Sequence, residues 1–258
     1  MLIASASTVV AVVVIAWVLA RSPGWFRVQD SFFSWQDAKD SLPEIASAFV
    51  LNIKLFLVAE PLILLVGLLV AVTRGLRSPV TFPLRVLAIV YTDVFRGVPT
   101  LLVIFLVCYG LPALRLRGIP NDLFWLGLIA LVLSYGAYVA EVFRAGIESV
   151  HPSQQASARS LGLSQTQALR YVVLPQAVRR VVPPLLNDFI SLQKDTALVA
   201  AVGLVEALRQ ANIYASFNFN FTSYLVAAAF FVVLTVPLAR LNDVLASRAQ
   251  RRRLGGAA

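Results

Sequence analysis

Three polar side chains recur at four-residue intervals along an otherwise apolar stretch: Asn187, Ser191 and Asp195, with Lys194 beside the last. On a helix this spacing sets an amide, a hydroxyl and a carboxylate on one face. The next position in the series is apolar Val199, so the stripe ends there, and Asp188 lies off this face. Such a face offers donors to a carboxylate and acceptors to an ammonium, which suits a zwitterionic solute. The alternative is interhelical hydrogen bonding, worth about 1 kcal/mol per contact. The charge in the stripe favours a pathway, because ionisable groups inside a membrane span are expensive and by default functional. Tyr138 and Glu141, three residues apart, can complete such a cavity, or Glu141 can pair with Arg144. Asp93 and Arg96 share a helical face and either satisfy each other or leave Arg96, beside the Gly97–Pro99 break, to line a cavity. Lys54 reads as a snorkelling side chain near one end of its span, with Glu60 toward the other.

The chain offers no chemistry of its own. It has no Gly-X4-Gly-Lys-Ser/Thr phosphate loop, and its only lysines are Lys39, Lys54 and Lys194, so any ATP is bound by another chain. His151 and Cys108 are the only histidine and cysteine, which leaves no metal-ligand spacing and no disulfide framework. Cys108 reads as a small core- or lipid-facing residue. There is no nucleophile–base constellation, so the expectation is a non-enzyme without a cofactor or metal.

These residues must be positioned by membrane helices. The chain has 258 residues, 59% hydrophobic and 14% charged, against about a quarter charged in soluble domains. The apolar residues gather in runs, predicting an all-α polytopic bundle with spans at about 2–20, 46–72, 84–110, 122–143, 178–199 and 222–241. The first run has no basic leader and no persuasive cleavage site, so it reads as an uncleaved helix. Residues 21–44 are polar, with Trp25 and Trp35 suited to a membrane interface. Short turns are expected around 73–83, 111–121 and 206–222. The organisation is an N-terminal helix and outer segment (1–44), a transmembrane domain (45–245) and a basic tail (246–258).

The polar stretch from Glu141 to Pro175 is not a random loop. Pro152 suits a first helical position after His151. Gly162 supplies the left-handed residue that ends a helix. Ser164, with Gln167 three residues on, forms a capping box for a second short helix that should stop near Leu174-Pro175.

The spacing Ala156-Ser157-Ala158, Gly162, Val172, Leu174-Pro175 resembles the signature cytoplasmic loop of bacterial ABC-importer permeases. More narrowly, the chain resembles permeases of polar amino-acid importers, the histidine/glutamine/glutamate type. The similarity rests on Phe95-Arg96-Gly97-Val98-Pro99, Gly136 through Arg144, Leu174 through Ala177 and Lys194-Asp195-Thr196, and covers roughly 45–245. In one departure, the family's loop Glu is Ala156 here and the following Ala is Ser157. The resemblance implies a five-helix permease core with one added N-terminal helix and a helical coupling loop that includes Ala156, Ser157, Ala158, Gly162, Leu163, Leu174 and Pro175. It also implies a solute pathway through Arg96, Tyr138, Glu141, Asn187, Ser191, Lys194, Asp195 and Thr196. The implied partners are cytosolic ATPase subunits carrying ATP and Mg, a second permease copy as homodimer or heterodimer, an extracellular solute-binding protein, a polar amino acid and the lipid bilayer.

The net charge of +9 does not point to nucleic acid, because the arginines sit in short inter-span loops and the tail. With the carboxy terminus inside, the inner loops and tail hold thirteen Lys and Arg, including Arg77 and Arg248 to Arg253, against seven outside. That places the 141–175 loop in the cytoplasm of a bacterial inner-membrane protein, although Arg21 and Arg27 flank the first helix on its outer side. Three other readings remain: an ion-gradient-driven secondary transporter, an ABC importer permease for another small polar solute, and a non-transporting membrane scaffold.

Overall fold

The computed structural model describes residues 2–76, 78–118 and 120–254, with side chains for 7, 9–76, 78–118 and 120–244. Arg77 and the side chains of Arg248, Arg251, Arg252 and Arg253 therefore lie outside the described residues. The described chain is helical, without strands. Its helices are α1 (Leu2–Ala20), α2 (Trp25–Phe32), α3 (Trp35–Gly75), α4 (Phe82–Gly97), α5 (Thr100–Ala113) and α6 (Leu123–Glu148). There follow α7 (Pro152–Ser160), α8 (Gln165–Ala168), α9 (Leu174–Asp195), α10 (Ala207–Asn218) and α11 (Thr222–Leu254). Three runs are long and apolar enough to cross a membrane, Trp25–Gly75, Leu123–Glu148 and Thr222–Val244, and a bent α4–α5 pair makes up to a fourth. The described side chains of α1 are all exposed, so this helix stands apart from the core.

α6 is the axis. Leu126, Ala130, Leu131, Ala137 and Ala140 are buried on it, packed among α3, α4, α5 and α9. Lipid tails are as apolar as leucine, so helices in a bilayer associate through close packing, which small residues permit. A Cβ at Gly67 of α3 would lie 2.5 Å from a Val139 methyl, and one at Gly127 would lie 2.8 Å from a Val199 methyl. Gly146 approaches Val181 of α9 more closely still. The contacts Gly146–Val181, Tyr135–Asp195 and Gly127–Val199 climb one chain while descending the other, so α6 and the α9 run pack antiparallel.

Several expectations are corrected here. The span at 84–110 breaks at the expected Gly97–Pro99 position but bends sharply there: α4 and α5 meet at 110° across Val98-Pro99. Val98 adopts an extended conformation, as a residue before proline must, and Pro99 has no N–H to continue the ladder. The segment 21–44 is mostly helix, since α2 fills 25–32 and Ser34 caps α3 by accepting the Asp37 N–H at 3.3 Å. The turn at 206–222 contains α10, whose Ala207, Ala211 and Ala215 repeat every four residues and are buried.

The loop from 141 to 175 matches its expected start. His151 caps α7, accepting the Ser153 N–H at 3.2 Å, Gly162 turns with φ +87°, and Ser164 and Gln167 close a capping box. Its expected stop is overturned. α8 passes through a π-helical turn at Leu169–Val173 straight into α9, with Pro175 in the first turn of α9. The Leu174 N–H reaches back five residues to the Leu169 carbonyl. One residue of slack thus lets the chain meet a proline without breaking. Downstream, α9 ends at Asp195 and the run continues as a 3₁₀ segment, Thr196–Val202, closed by Gly203 at φ +98°.

Gly67→Leu should lower stability by about 1–3 kcal/mol through overpacking against Val139. Thermal unfolding of the detergent-purified protein checks this, with the exposed Gly24→Leu as a control that should melt unchanged.

Candidate functional site

α6 and α9 touch at Gly146–Val181 and again at Tyr135–Asp195, and a hollow opens beside the pair. The gap is a cavity of about 520 Å³, lined by Arg96, Tyr138, Glu141, Gly146, Ser149, Arg180, Pro183, Pro184 and Asp188 among others. That volume lies within the range of small-molecule sites. Pro183 and Pro184 take two backbone donors out of α9 where it borders the hollow. Ser149 and Arg180 place one side of the cavity at the loop end of both helices, where Arg180 donates to the Ser149 carbonyl.

Glu141 ties this site together. Its Oε2 accepts from Arg74 of α3 at 3.0 Å and from Nε of Arg144 at 3.0 Å, and lies 3.8 Å from Arg96 of α4. Arg144 also donates to Oε1 of Glu141 and to Glu148. One carboxylate thereby joins three helices. Glu141 both lines the cavity and pairs with Arg144, so the two readings of it hold together. Arg96 faces Glu141 across the helices, and the Asp93–Arg96 pairing is not among the ion pairs of the described residues. Tyr138 borders the same hollow, with its hydroxyl 3.4 Å from the Arg96 carbonyl.

The polar stripe of α9 does not line this cavity as a unit. Asn187 accepts from the Asn242 amide of α11 at 2.8 Å, on the far side of α9. Asp195 accepts from the Tyr135 hydroxyl at 2.8 Å, and neither residue lines the cavity. Ser191 is half-buried and Lys194 is exposed, while Thr196 is buried in a separate network. Asp188 stands about 100° round the helix from Asn187, and each four-residue step drifts by about 40°, so the stripe spreads over the sides of α9 that meet α11 and Tyr135. The residue that enters the cavity is Asp188, whose Oδ2 is buried without a partner among the described residues. Arg180, Pro183 and Pro184 were also not singled out. The Pro-Pro pair followed within five residues by an acid was the available signal.

The residues of the 141–175 loop form a compact knuckle. Val150, Val173 and Ala177 pack together, with Ala158 and Ala168 buried nearby. Leu163 is half-buried, and its N–H donates to the Ala158 carbonyl at 3.2 Å. Ala156, Ser157, Gly162, Leu174 and Pro175 face outward, as do Leu161, Leu169 and Tyr171.

With this geometry in view, known proteins supply the family. Residues 63–251 match the model of the binding-protein-dependent transport system inner membrane component. The chain belongs to that family. It is 35% identical over 211 residues to the probable amino-acid permease protein YxeN of Bacillus subtilis (strain 168), covering 81% of this chain and 93% of the relative. It is 36% identical over 186 residues to the probable glutamine ABC transporter permease protein GlnM of the same organism, covering 72% and 83%. The crystal structure of an amino acid ABC transporter with histidines superposes with a TM-score of 0.75 at 34% identity, covering 83% of this chain and 98% of that one. Membership establishes a multi-pass helical permease of the ABC importer class and supports that reading over a gradient-driven carrier.

Glu141→Gln should leave Arg74, Arg96 and Arg144 without their shared carboxylate. The expected loss is about 2 kcal/mol, between the values for exposed and buried pairs. Thermal unfolding of Glu141→Gln, Arg74→Gln and the double variant checks it, and the two losses should fail to add.

Proposed function

We propose that this chain is the membrane subunit of an importer that carries polar amino acids across the bacterial inner membrane. The observation that carries the reading is the cavity between α6 and α9, which Asp188 lines together with Arg96 and Tyr138. An α-ammonium group would satisfy Asp188, and an α-carboxylate would accept from Arg96 or from the Tyr138 hydroxyl. The names of the relatives, an amino-acid and a glutamine permease, agree with such a solute. Asp195 and Tyr135 bond to each other farther along the α6–α9 pair, away from the loop, and Thr196 follows Asp195. Asn187, Ser191 and Lys194 take a secondary place, holding α9 against α11 or facing outward.

Energy comes from elsewhere. Two ATPase subunits, binding ATP and Mg, would seat the α7–α8 knuckle, whose exposed Leu161, Leu169 and Tyr171 suit a cleft in another protein. The loop and the carboxy terminus then face the cytoplasm, and the cavity, bordered by Ser149 and Arg180, opens inward. A second copy of this chain or a sister permease completes the path, and an external binding protein delivers the solute. ATPase closure biases a bistable bundle, and no bond is made or broken in this chain.

Two outcomes test the reading. Asp188→Asn should cut uptake of labelled amino acids in proteoliposomes holding the whole complex about tenfold or more, mainly through KM, with ATP hydrolysis retained. Uptake unchanged in that variant would remove Asp188 from the path. Gly162→Val should strain the left-handed turn by about 1–2 kcal/mol and displace the knuckle. Uptake per ATP hydrolysed should then fall several-fold, and an unaltered ratio would count against the knuckle as the coupling element.

A further inference from the structure

Away from the cavity, a groove opens on the surface of the bundle where α3 and α11 pack side by side. The two helices run in the same direction. Their starts are tied by the Ser34 N–H, which donates to Thr222 Oγ1 at 3.1 Å, and farther along the Phe49 and Phe230 rings meet at 5.3 Å. Trp35, Ala38, Lys39 and Leu42 of α3 border the groove at positions i, i+3, i+4 and i+7. Val226, Ala229, Phe230 and Val233 of α11 repeat that spacing. Each set is one stripe of its helix, about 10 Å long. The space between them is about 360 Å³ and is walled almost wholly by carbon. Lys39 is the exception. It is exposed, its Nζ stands 5.4 Å over the Trp35 ring, and no ion pair among the described residues includes it. We propose that this groove binds an anionic phospholipid, with the phosphate at Lys39 and one acyl chain along the α11 stripe.

Charge and position both favour that occupant. The carboxylates near Lys39 lie about 140–200° round α3 from Trp35 and have partners of their own. Asp37 accepts from the Tyr214 hydroxyl at 3.0 Å, Asp40 from the Gln36 amide at 3.0 Å, and Glu44 from the Gln210 amide. The Lys39 ammonium is thus left for an anion from outside the chain. Both helices belong to runs long and apolar enough to cross a membrane, so lipid is the medium that meets their outer faces. Trp35 and Lys39 stand near the joined starts of the helices, and an indole beside an ammonium suits the headgroup level. Val233 lies farther along, so the carbon walls lead from that level toward the hydrocarbon. A second copy of this chain fits less well. A two-fold contact sets the same surface on both subunits, and the lining holds no carboxylate, so Lys39 would be buried without a partner. A lipid that binds only the folded bundle stabilises the α3–α11 pair by mass action.

The test uses the complete importer, stripped of lipid in detergent and titrated with phosphatidylglycerol or with phosphatidylcholine. Native mass spectrometry counts the bound lipid, and thermal unfolding reads the gain in stability. Phosphatidylglycerol should bind the parent several-fold more tightly than phosphatidylcholine and raise its melting temperature by several degrees. Ala229→Trp, which fills the open groove, should lose one bound phosphatidylglycerol per permease copy and most of that rise. Lys39→Gln should bind the two lipids alike, and Lys39→Arg should restore the preference. Phosphatidylglycerol retained equally by Ala229→Trp and the parent would overturn the site. A permease pair that falls apart in Ala229→Trp with its lipid count unchanged would also overturn it, and would give the groove to a second copy. Should Ala229→Trp fail to accumulate, Lys39→Gln decides, and an undiminished preference for phosphatidylglycerol in that variant refutes the proposal. The lipid counts need no transport, so they stand whatever solute the cavity takes.

Discussion

The structure depends on how closely helices can approach where water is absent. Lipid offers no hydrophobic drive to press one helix on another, so contact must come from fitted surfaces and satisfied polar groups. Gly67, Gly127 and Gly146 allow valine side chains of neighbouring helices to sit where a methyl would stand. They make α6 the rod to which α3 and the α9 run are fixed at several heights. The Glu141 hub sits among these contacts, where α3, α4 and α6 meet.

The cavity follows from the same constraint. Two helices locked at both ends of a stretch must either fill the space between or leave it open. Here Tyr138, Glu141 and Val142 on one side and Pro183, Pro184 and Asp188 on the other leave it open. Arginines from α3 and α4 converge on Glu141, so the wall beside the hollow is held by a charge cluster from three helices. A rigid wall beside a proline-bearing helix gives the site one fixed and one yielding side.

Much of this was legible in the residues. The apolar runs announced a helical membrane protein, and Pro152, Gly162, Ser164 and Gln167 announced the knuckle through local hydrogen bonds that need no tertiary context. Arg96, Tyr138 and Glu141 were also found, because their types and spacing already required partners. The faces of α9 were not legible. Helical spacing groups Asn187, Ser191 and Asp195, but it does not say which face meets a cavity, and the cavity lies on the side of Asp188, about 100° round from Asn187. The buried hydrogen bonds from Asn52 to Thr196 and to Glu206 each span more than 140 positions in sequence, for which no local pattern exists. The Gly97–Pro99 break was legible, but its 110° angle and α10 were not, since hydropathy measures apolarity and not direction.

The π turn at Leu169–Val173 has a consequence for how such a chain can vary. It holds one residue more than an α-helical turn, and everything after it is indexed from that surplus. Deleting any single residue there would restore an ordinary turn and rotate the rest of α9 by about 100°. Asp188 would then swing away from the hollow while the composition of the helix stayed almost the same. The number of residues between knuckle and cavity is thus under tighter constraint than their identity, so length changes there would be purged where substitutions are tolerated.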